Sequence, residues 1–466
     1  MGSKWEKIKL KEVVDIITTK VDVSQISLCD YISTENMLTN FGGISIANSK
    51  PSTGKITKFH SGDILFSNIR TYFKKLWLAD RTGGCSNDVI VFRPKKHINS
   101  NYILSVLMDQ KFIEYTVLTS KGTKMPRGDK TAILDYEFNL APDKYCQHIA
   151  KTNTLIFSKL KSNEVINKSL EQMSQTLFKS WFVDFDPVIY NALDAGNPIP
   201  EALQSRAELR QKVRNSTDFK PLPAEIRSLF PSEFEETELG WVPKGWSIVR
   251  TEDIALKIGM GPFGSNIKVS TFVNAGVPII SGQHLKALLL IDGDNNFITP
   301  EHAEKLKNSA VYRKDIIFTH AGNIGQVSLI PEDSEYDRYI ISQRQFFLRV
   351  NESKSSPYYL IHYFRSEKGQ HALLSNASQV GVPSIAQPST HLKNISFLNP
   401  PMVLLKEFEK FSTPLFHRFS KNRKCGVSLT ALRNTLLPKL ISGELSLEDL
   451  PDLSTDTEAA QRILPL

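Results

Sequence analysis

No stretch of the sequence approaches the eighteen or so consecutive apolar residues that a membrane-spanning helix needs, so none is expected. Cysteine is scarce. Cys29, Cys85, Cys146 and Cys425 lie far apart and form no Cys-x-x-Cys pair, which argues against a zinc site and a disulfide framework and predicts reduced, structural thiols. There is no Gly-x-x-x-x-Gly-Lys-Ser/Thr phosphate loop and no His-Glu-x-x-His, so neither a nucleotide-driven motor nor that class of metal hydrolase is indicated. The ten histidines are scattered. Acid-x-Lys triplets such as Glu352-Ser353-Lys354 arise by chance in so charged a chain and mark no nuclease centre. The opening Met1-Gly2-Ser3-Lys4-Trp5-Glu6 has neither the apolar core of a signal peptide nor the Ser/Thr that a myristoylation signal carries at the sixth position, so a cytoplasmic protein is expected.

What is present is globular: 41% hydrophobic and 23% charged residues over 466 positions, enough for two domains of about 150 residues and connecting structure. Lys and Arg number 57 against 49 acids, a formal charge of +8. Residues 1–130 hold twenty bases against twelve acids, which is the whole excess, so the first domain is the basic one. Within it Lys121, Lys124, Arg127 and Lys130 fall near Gly122 and Gly128. They predict an exposed basic loop of the kind that attracts phosphate, although a run of like charge is often only solvated.

The second half restates the first at an offset of roughly 240 to 260 residues. The apolar pattern from Trp5 to Val13 returns from Trp246 to Ile254, and Asp63-Ile64-Leu65-Phe66-Ser67-Asn68 answers Asp315-Ile316-Ile317-Phe318-Thr319-His320. An acid followed by an unbroken apolar run reads as a buried strand entered from a turn. The amphipathic segment Tyr102 to Met108 and the later Met125-Pro126 answer Tyr359 to Arg365 and Val382-Pro383.

Each half ends in a long helix. Ile149, Ile156, Leu160, Leu170, Met173, Leu177 and Trp181 recur at helical spacing, with no Pro or Gly from Lys144 to Phe185. Phe408, Leu415, Phe419, Leu429, Leu432, Leu436 and Leu440 keep similar spacing, with interruptions expected at Pro414 and Gly426. A helix of about 38 residues spans roughly 57 Å, and a stripe that long is most simply covered by the other stripe. Between the halves, residues 187–245 contain seven prolines and read as a connector, and the end of the chain turns acidic at Glu448, Asp449, Asp452, Asp456 and Glu458 and is expected to fray.

The helix ends Leu177-Phe178-Lys179-Ser180-Trp181-Phe182-Val183-Asp184-Phe185 and Leu436-Leu437-Pro438-Lys439-Leu440-Ile441-Ser442-Gly443-Glu444 resemble the two helical signatures of the specificity subunits of type I restriction-modification systems. Gly259-Met260-Gly261-Pro262-Phe263-Gly264, Phe66-Ser67-Asn68-Ile69-Arg70 and Glu238-Leu239-Gly240-Trp241-Val242-Pro243 are similar to further elements of that family, although the first domain lacks the Gly-Pro-Phe-Gly opening. The resemblance spans nearly the whole chain. It implies an α+β fold: two similar mixed α/β target recognition domains in tandem, separated by two long antiparallel helices forming a coiled-coil spacer. The expected boundaries are 1–145 and 246–402 for the domains, 146–186 and 403–445 for the helices, 187–245 for the connector and 446–466 for the acidic tail.

Two motifs mislead. Gly259 to Gly264 fits Gly-x-Gly-x-x-Gly, but that dinucleotide fingerprint needs a helix to follow, and Asn266-Ile267-Lys268-Val269-Ser270 is strand-like or irregular. Asn399-Pro400-Pro401-Met402 is similar to the tetrapeptide with which adenine methyltransferases hold a flipped base, yet Met402 stands where a stacking aromatic belongs. It reads as a turn before the second helix.

Base edges are read by Arg on guanine and by Asn or Gln on adenine, while Lys mostly holds phosphate. Loop position and side-chain chemistry select Arg70, Lys74, Lys121, Lys124, Arg127 and Lys130 in the first half and Lys268, His320, Gln343, Arg344, Gln379, Ser384 and His391 in the second, each individually open to a plain surface role. Antiparallel helices relate the two domains by an approximate two-fold axis, which predicts two different half-sites with an unread gap set by helix length. No catalytic residue, metal site or cofactor is expected in this chain. The resemblance places chemistry in partners: two modification subunits using S-adenosylmethionine and motor-nuclease subunits using ATP and Mg, docked on the helix pair. Leu177, Phe178, Trp181, Phe182, Leu436 and Leu437 are the candidate docking residues, with Trp181 and Phe182 either facing a partner or packing against the connector. A methyltransferase acting alone and a free-standing DNA-binding regulator are the rival readings.

Overall fold

A computed structural model describes residues 5–216, 219–264, 266–378 and 381–445. Gln379 and the acidic segment 446–466 lie outside these residues. The chain divides into two compact units, Met1–Ser162 with Cys425–Leu466, and Asn163–Lys424. Each unit therefore owns part of both long helices, Asp143–Phe182 and Met402–Ser442. Among the described residues no helix is long and apolar enough to cross a membrane.

In the first unit one four-stranded antiparallel sheet has the spatial order Val14–Ile16, Val89–Pro94, Ile64–Ser67, Leu76–Leu78. Ile64, Leu65 and Phe66 are all buried, because helices cover one face and a second sheet the other. That second sheet runs Lys20–Asp22, Lys55–Phe59, Gly83–Cys85, Tyr31–Ile32, with its last pair parallel. Helices Ser100–Met108 and Gln110–Leu118 follow. The strand Glu137–Leu140 then closes back on the chain's first strand, Glu6–Lys9, with Ile8 opposite Phe138.

The second unit repeats this plan. Its first sheet runs Ala255–Met260, Gln345–Val350, Ile316–Thr319, Val327–Leu329. Helices Pro357–Arg365 and Glu367–Leu374 follow, and Ser396–Asn399 closes on Ser247–Arg250 with Leu398 opposite Ile248. The second sheets differ at one edge. Both share a parallel pair (Tyr31–Ile32 with Gly83–Cys85; Val277–Ile280 with Tyr339–Ile341) flanked by an antiparallel strand. The fourth strand joins the flanking strand in the first unit, Lys20–Asp22, and the opposite edge in the second, Asn296–Ile298. The fold is thus an α+β tandem duplication.

The long helices pack antiparallel within each unit. In the first, Ile149 and Ala150 share a core with Leu437, Leu440 and Ile441. In the second, Phe178 and Trp181 meet Phe408, and the buried Asn422 donates to Asn167 Oδ1 at 2.9 Å while its carbonyl accepts from Asn163 Nδ2 at 3.3 Å. A polar pair in an apolar seam penalises any slip of one helix along the other. The expected breaks at Pro414 and Gly426 do not occur. Pro414 forfeits one helical hydrogen bond, typically about 3 kcal/mol, but Phe408, Phe416 and Phe419 on the same helix are locked in the core. Gly426 lies where a Cβ would stand 3.7 Å from Leu160, so it is tolerated inside the helix at about 1 kcal/mol.

The connector is built from helices Asp186–Ala195, Glu201–Arg214 and Ala224–Arg227 and the hairpin Phe234–Thr237 with Gly240–Pro243. Its prolines sit at helix starts, between elements and, for Pro243, at the last position of a hairpin strand. The four cysteines are unpaired, and Cys29 alone is exposed rather than structural.

Candidate nucleic-acid interface

In the first unit the buried strand Ile64–Ser67 runs out into a tight turn, Thr71–Phe73, bracketed by Arg70 and Lys74 in left-handed conformation (φ 49° and 54°). A hairpin crosses this turn. Lys121 and Arg127 exchange backbone hydrogen bonds of 2.8 and 2.9 Å, the Arg70 N–H donates to Pro126 O at 2.9 Å, and the Gly128 N–H donates to Asn68 O at 3.0 Å. Gly128 is closely surrounded: a Cβ there would lie 2.7 Å from Asn68 Oδ1 and 2.9 Å from Ile133, so either side chain would have to shift. The expected basic loop is therefore a pinned hairpin.

Arg70, Lys74, Lys121, Lys124, Arg127 and Lys130 are gathered on these two segments and the helix start that follows. Arg127 pairs with Asp88 at 3.0 Å and Lys121 with Asp129 at 2.6 Å, both at exposed positions. The Lys121 ammonium, with the Thr131 and Ala132 N–H groups, holds the Asp129 carboxyl below its ordinary value. Among the described residues Arg70, Lys74, Lys124 and Lys130 enter no ion pair, so their charge is available to an external anion. Tyr72 and Phe73 stand exposed in the same turn, ring centroids 4.8 Å apart, and Met125 is exposed at the hairpin tip. Sequence reasoning missed these three; the signal was an aromatic pair directly between two basic residues.

The second unit builds the same crossing. After the strand Ile316–Thr319, the Gly322 N–H donates to Pro383 O at 2.9 Å, Ala321 bridges Ser384, and the Ile385 N–H donates to His320 O at 2.8 Å. A third segment joins: the His320 N–H donates to Arg344 O at 2.9 Å, and its Nε2 lies 3.0 Å from Gln343 O. His320, Gln343, Arg344 and Ser384 are thus one cluster, with Gln343 and Arg344 exposed. The glycine-rich segment packs against it. A Cβ on Gly261 would lie 2.0 Å from Ser342 O, and one on Gly259 2.4 Å from the Phe347 ring. These glycines serve close backbone approach, and a short turn, Val269–Thr271, follows them rather than an α-helix.

Lys268 is exposed on the segment after these glycines, beside the equally exposed Phe263 and Val269. His391 is partly buried. Its Nε2 lies 2.9 and 3.1 Å from Ala372 O and Leu373 O, so the ring closes the last carbonyls of the helix Glu367–Leu374. Gln379 falls outside the described residues.

At the aromatic helix end the structure has the second of the two arrangements, packing against the connector. Trp181 is 1% exposed, with its ring edge-on to Phe230 of the connector at 5.2 Å, and Phe182 meets Tyr359 and Phe408 at 5.0 and 5.1 Å. Phe178 and Leu437 are buried as well, and Leu177 and Leu436 are only partly covered. Large aromatic surface buries itself against whatever apolar surface the chain brings near, and the connector supplies it. Trp181 and Phe182 therefore present no face to a partner.

The chain is a protein of twin mixed domains, each crossing the exit of its central strand with a charged or polar loop. Residues 2–172 match the family described as type I restriction modification DNA specificity domain. The type I restriction enzyme HindI specificity subunit of Haemophilus influenzae is 24% identical over 468 residues, covering 95% of this chain and all of the relative. The MjaIX specificity subunit of Methanocaldococcus jannaschii is 22% identical, covering 96% of this chain and 94% of the relative. A crystal structure of the type I system S subunit from M. genitalium aligns over 94% of this chain and 96% of its own, at 13% identity and a TM-score of 0.49. Residues 2–172 thus carry a match to the DNA specificity domain of type I restriction-modification systems, and over nearly its whole length the chain is similar to specificity subunits of such systems.

Proposed function

We propose that the two loop clusters read the two halves of a bipartite, asymmetric duplex target separated by an unread spacer, and that the chain performs no chemistry of its own. Partner subunits act where it directs them: two modification subunits methylating adenine with S-adenosylmethionine, and motor-nuclease subunits using ATP and Mg, all in the cytoplasm. The observation that carries this reading is the twin crossing, Arg70 on Pro126 and Gly322 on Pro383, made with the same backbone geometry and different side chains. Similar scaffolds with unlike readers call for unlike half-sites. In the first cluster Arg70 and Arg127 have the forked donors that match guanine, while Lys74, Lys121, Lys124 and Lys130 suit phosphate. In the second, Gln343 suits adenine, Arg344 guanine, and Lys268 phosphate, with His320 and Ser384 as shorter polar readers. Docking of partners falls to apolar side chains left outside the helix seam, Leu155 and Met173 on the first helix and Val427 and Leu432 on the second.

The test maps methylated adenines in cells with the intact gene, with the gene deleted, and with residues 120–128 replaced by the hairpin of a relative of different specificity. Loss of one bipartite motif on deletion, and alteration of one half-site alone on replacement, is the expected result. A purified chain that methylates DNA unaided would refute it.

A further inference from the structure

The duplicated halves differ at one packing site. In the second unit Ser174 Oγ and His362 Nε2 are 2.5 Å apart, and the imidazole stacks on Phe416 at 5.8 Å and 6°. The repeat puts Arg433 where Ser174 stands, Ser105 where His362 stands and Phe157 where Phe416 stands. The Ser105 hydroxyl turns back to Asn101 O at 2.8 Å and accepts from Asn153 Nδ2 at 2.8 Å. No imidazole fills the space, and a cavity of about 430 Å³ remains, within the range of small-molecule sites.

Arg433 lines this cavity at 4% exposure, its guanidinium 5.4 Å from the Phe41 ring and 5.6 Å from the Phe157 ring. Nε and Nη2 both donate to Asn434 Oδ1, at 3.1 and 3.0 Å. Among the described residues no carboxylate pairs with the guanidinium, and burial pushes its pKa below the ordinary value. The two ring faces attract a cation but do not neutralise it. A buried charge without a counter-charge is strongly unfavourable, and proteins resolve it by pairing. Lys74 adds a second positive group to the wall, and Met108 and Leu437 add apolar surface. Asp109, also in the wall, spends its Oδ1 on the Lys111 N–H at 2.8 Å.

We propose that this cavity binds a small organic oxyanion, a carboxylate or phosphate carrying an apolar or aromatic body, whose charge pairs with Arg433. Isothermal titration of the full chain in phosphate-free buffer with benzoate, adenosine monophosphate and inorganic phosphate tests it. At least one probe binds the wild type at a single site, and Arg433→Met weakens that binding about tenfold or more, the loss expected for one charge-assisted contact. Ser105→His restores the imidazole of the other half and abolishes binding with Arg433 still in place. Should Arg433→Met melt below the wild type, Ser105→His and Lys74→Ala carry the test, since both leave the guanidinium untouched. Organic probes that bind more tightly than inorganic phosphate support the whole ligand class; phosphate alone, with the same sensitivity to the variants, supports its charged end. No binding by any of the three, or binding indifferent to the substitutions, overturns the proposal.

Discussion

Arg349 holds Asp315 through both Nε and Nη2, at 2.9 and 2.7 Å, and Arg93 holds Asp63 in the same fork at 2.7 and 2.7 Å. Each aspartate also accepts a backbone N–H three residues upstream, from Tyr312 and from His60, both at 2.8 Å. The acid seen in sequence before each apolar run is therefore the start of a buried ion pair that fixes where the central strand begins. Both aspartates are almost fully buried while the arginines are only partly so.

Arg349→Met leaves that carboxylate buried and uncompensated, and chemical denaturation is expected to show a loss of about 3–5 kcal/mol at neutral pH. Burial already pushes the Asp315 carboxyl above its ordinary value, against the pull of Arg349. Without the arginine it rises further, so the folded state takes up a proton that the unfolded state does not hold. A group raised in this way stabilises below its unfolded pKa and loses that contribution as pH rises. The deficit of the variant should therefore shrink toward pH 4 and be largest at pH 7; a deficit independent of pH would contradict the assignment.

His362 gives the opposite sign. Burial lowers its pKa to about 3, and Nδ1 lies 3.0 Å from Tyr358 O while Nε2 faces the Ser174 hydroxyl. The neutral ring donating from Nδ1 satisfies both contacts. Because the unfolded chain protonates near pH 6.5 and the folded chain resists, stability is full above about 6.5 and falls by up to about 1.4 kcal/mol per unit as pH drops toward 3. Thermal melting of the wild type against a Ser174→Ala/His362→Leu double variant between pH 7 and 4 measures this. The double variant should show a flatter acid limb.

The duplication was legible because buried strands write themselves as apolar runs, and Asp63 to Asn68 matches Asp315 to His320 with no knowledge of neighbours. The long helices were legible for the same reason, through spacing alone. What spacing cannot supply is the partner. Trp181 near a helix end could be read either as an anchor for a partner or as packing on the connector, because Phe230 and Phe408, which cover it, are 49 and 227 positions away. Nothing in the sequence singles out Arg433, and only the fold brings the Phe41 and Phe157 rings to its guanidinium. The loop crossings fall between these cases: Pro126 and Pro383 were matched by order, but neither residue announces the carbonyl that Arg70 or Gly322 will meet.

Burial of Trp181 changes what its substitution reports. Trp181→Ala removes a fully buried ring and is expected to cost about 3–5 kcal/mol, read as a lower denaturation midpoint of the isolated chain. Loss of a partner on co-purification would then follow from unfolding. Leu155→Ser and Leu432→Ser, at exposed positions outside the seam, should leave the unfolding free energy within about 0.5 kcal/mol and still weaken co-purification with modification subunits. If these surface variants retained full partner binding, docking would have to lie elsewhere on the chain.

Lys124 and Arg127 occupy one hairpin yet are held differently, and this separates phosphate contact from base reading. Lys124 is exposed and outside every ion pair of the described residues, whereas Arg127 is steadied by Asp88 at 3.0 Å, which fixes the direction of its fork. A phosphate contact contributes about 0.9 to the slope of log affinity against log salt and carries no sequence information. Lys124→Ala should therefore weaken binding of the assembled enzyme to target and scrambled duplexes alike and reduce the salt slope by about one. Arg127→Ala should instead narrow the gap between the two duplexes, by about 1–3 kcal/mol at one base pair. Fluorescence anisotropy over 50 to 200 mM salt distinguishes them. Two variants with the same slope change and an unaltered target preference would reduce the whole hairpin to an electrostatic clamp and leave base reading to the turn that carries Arg70.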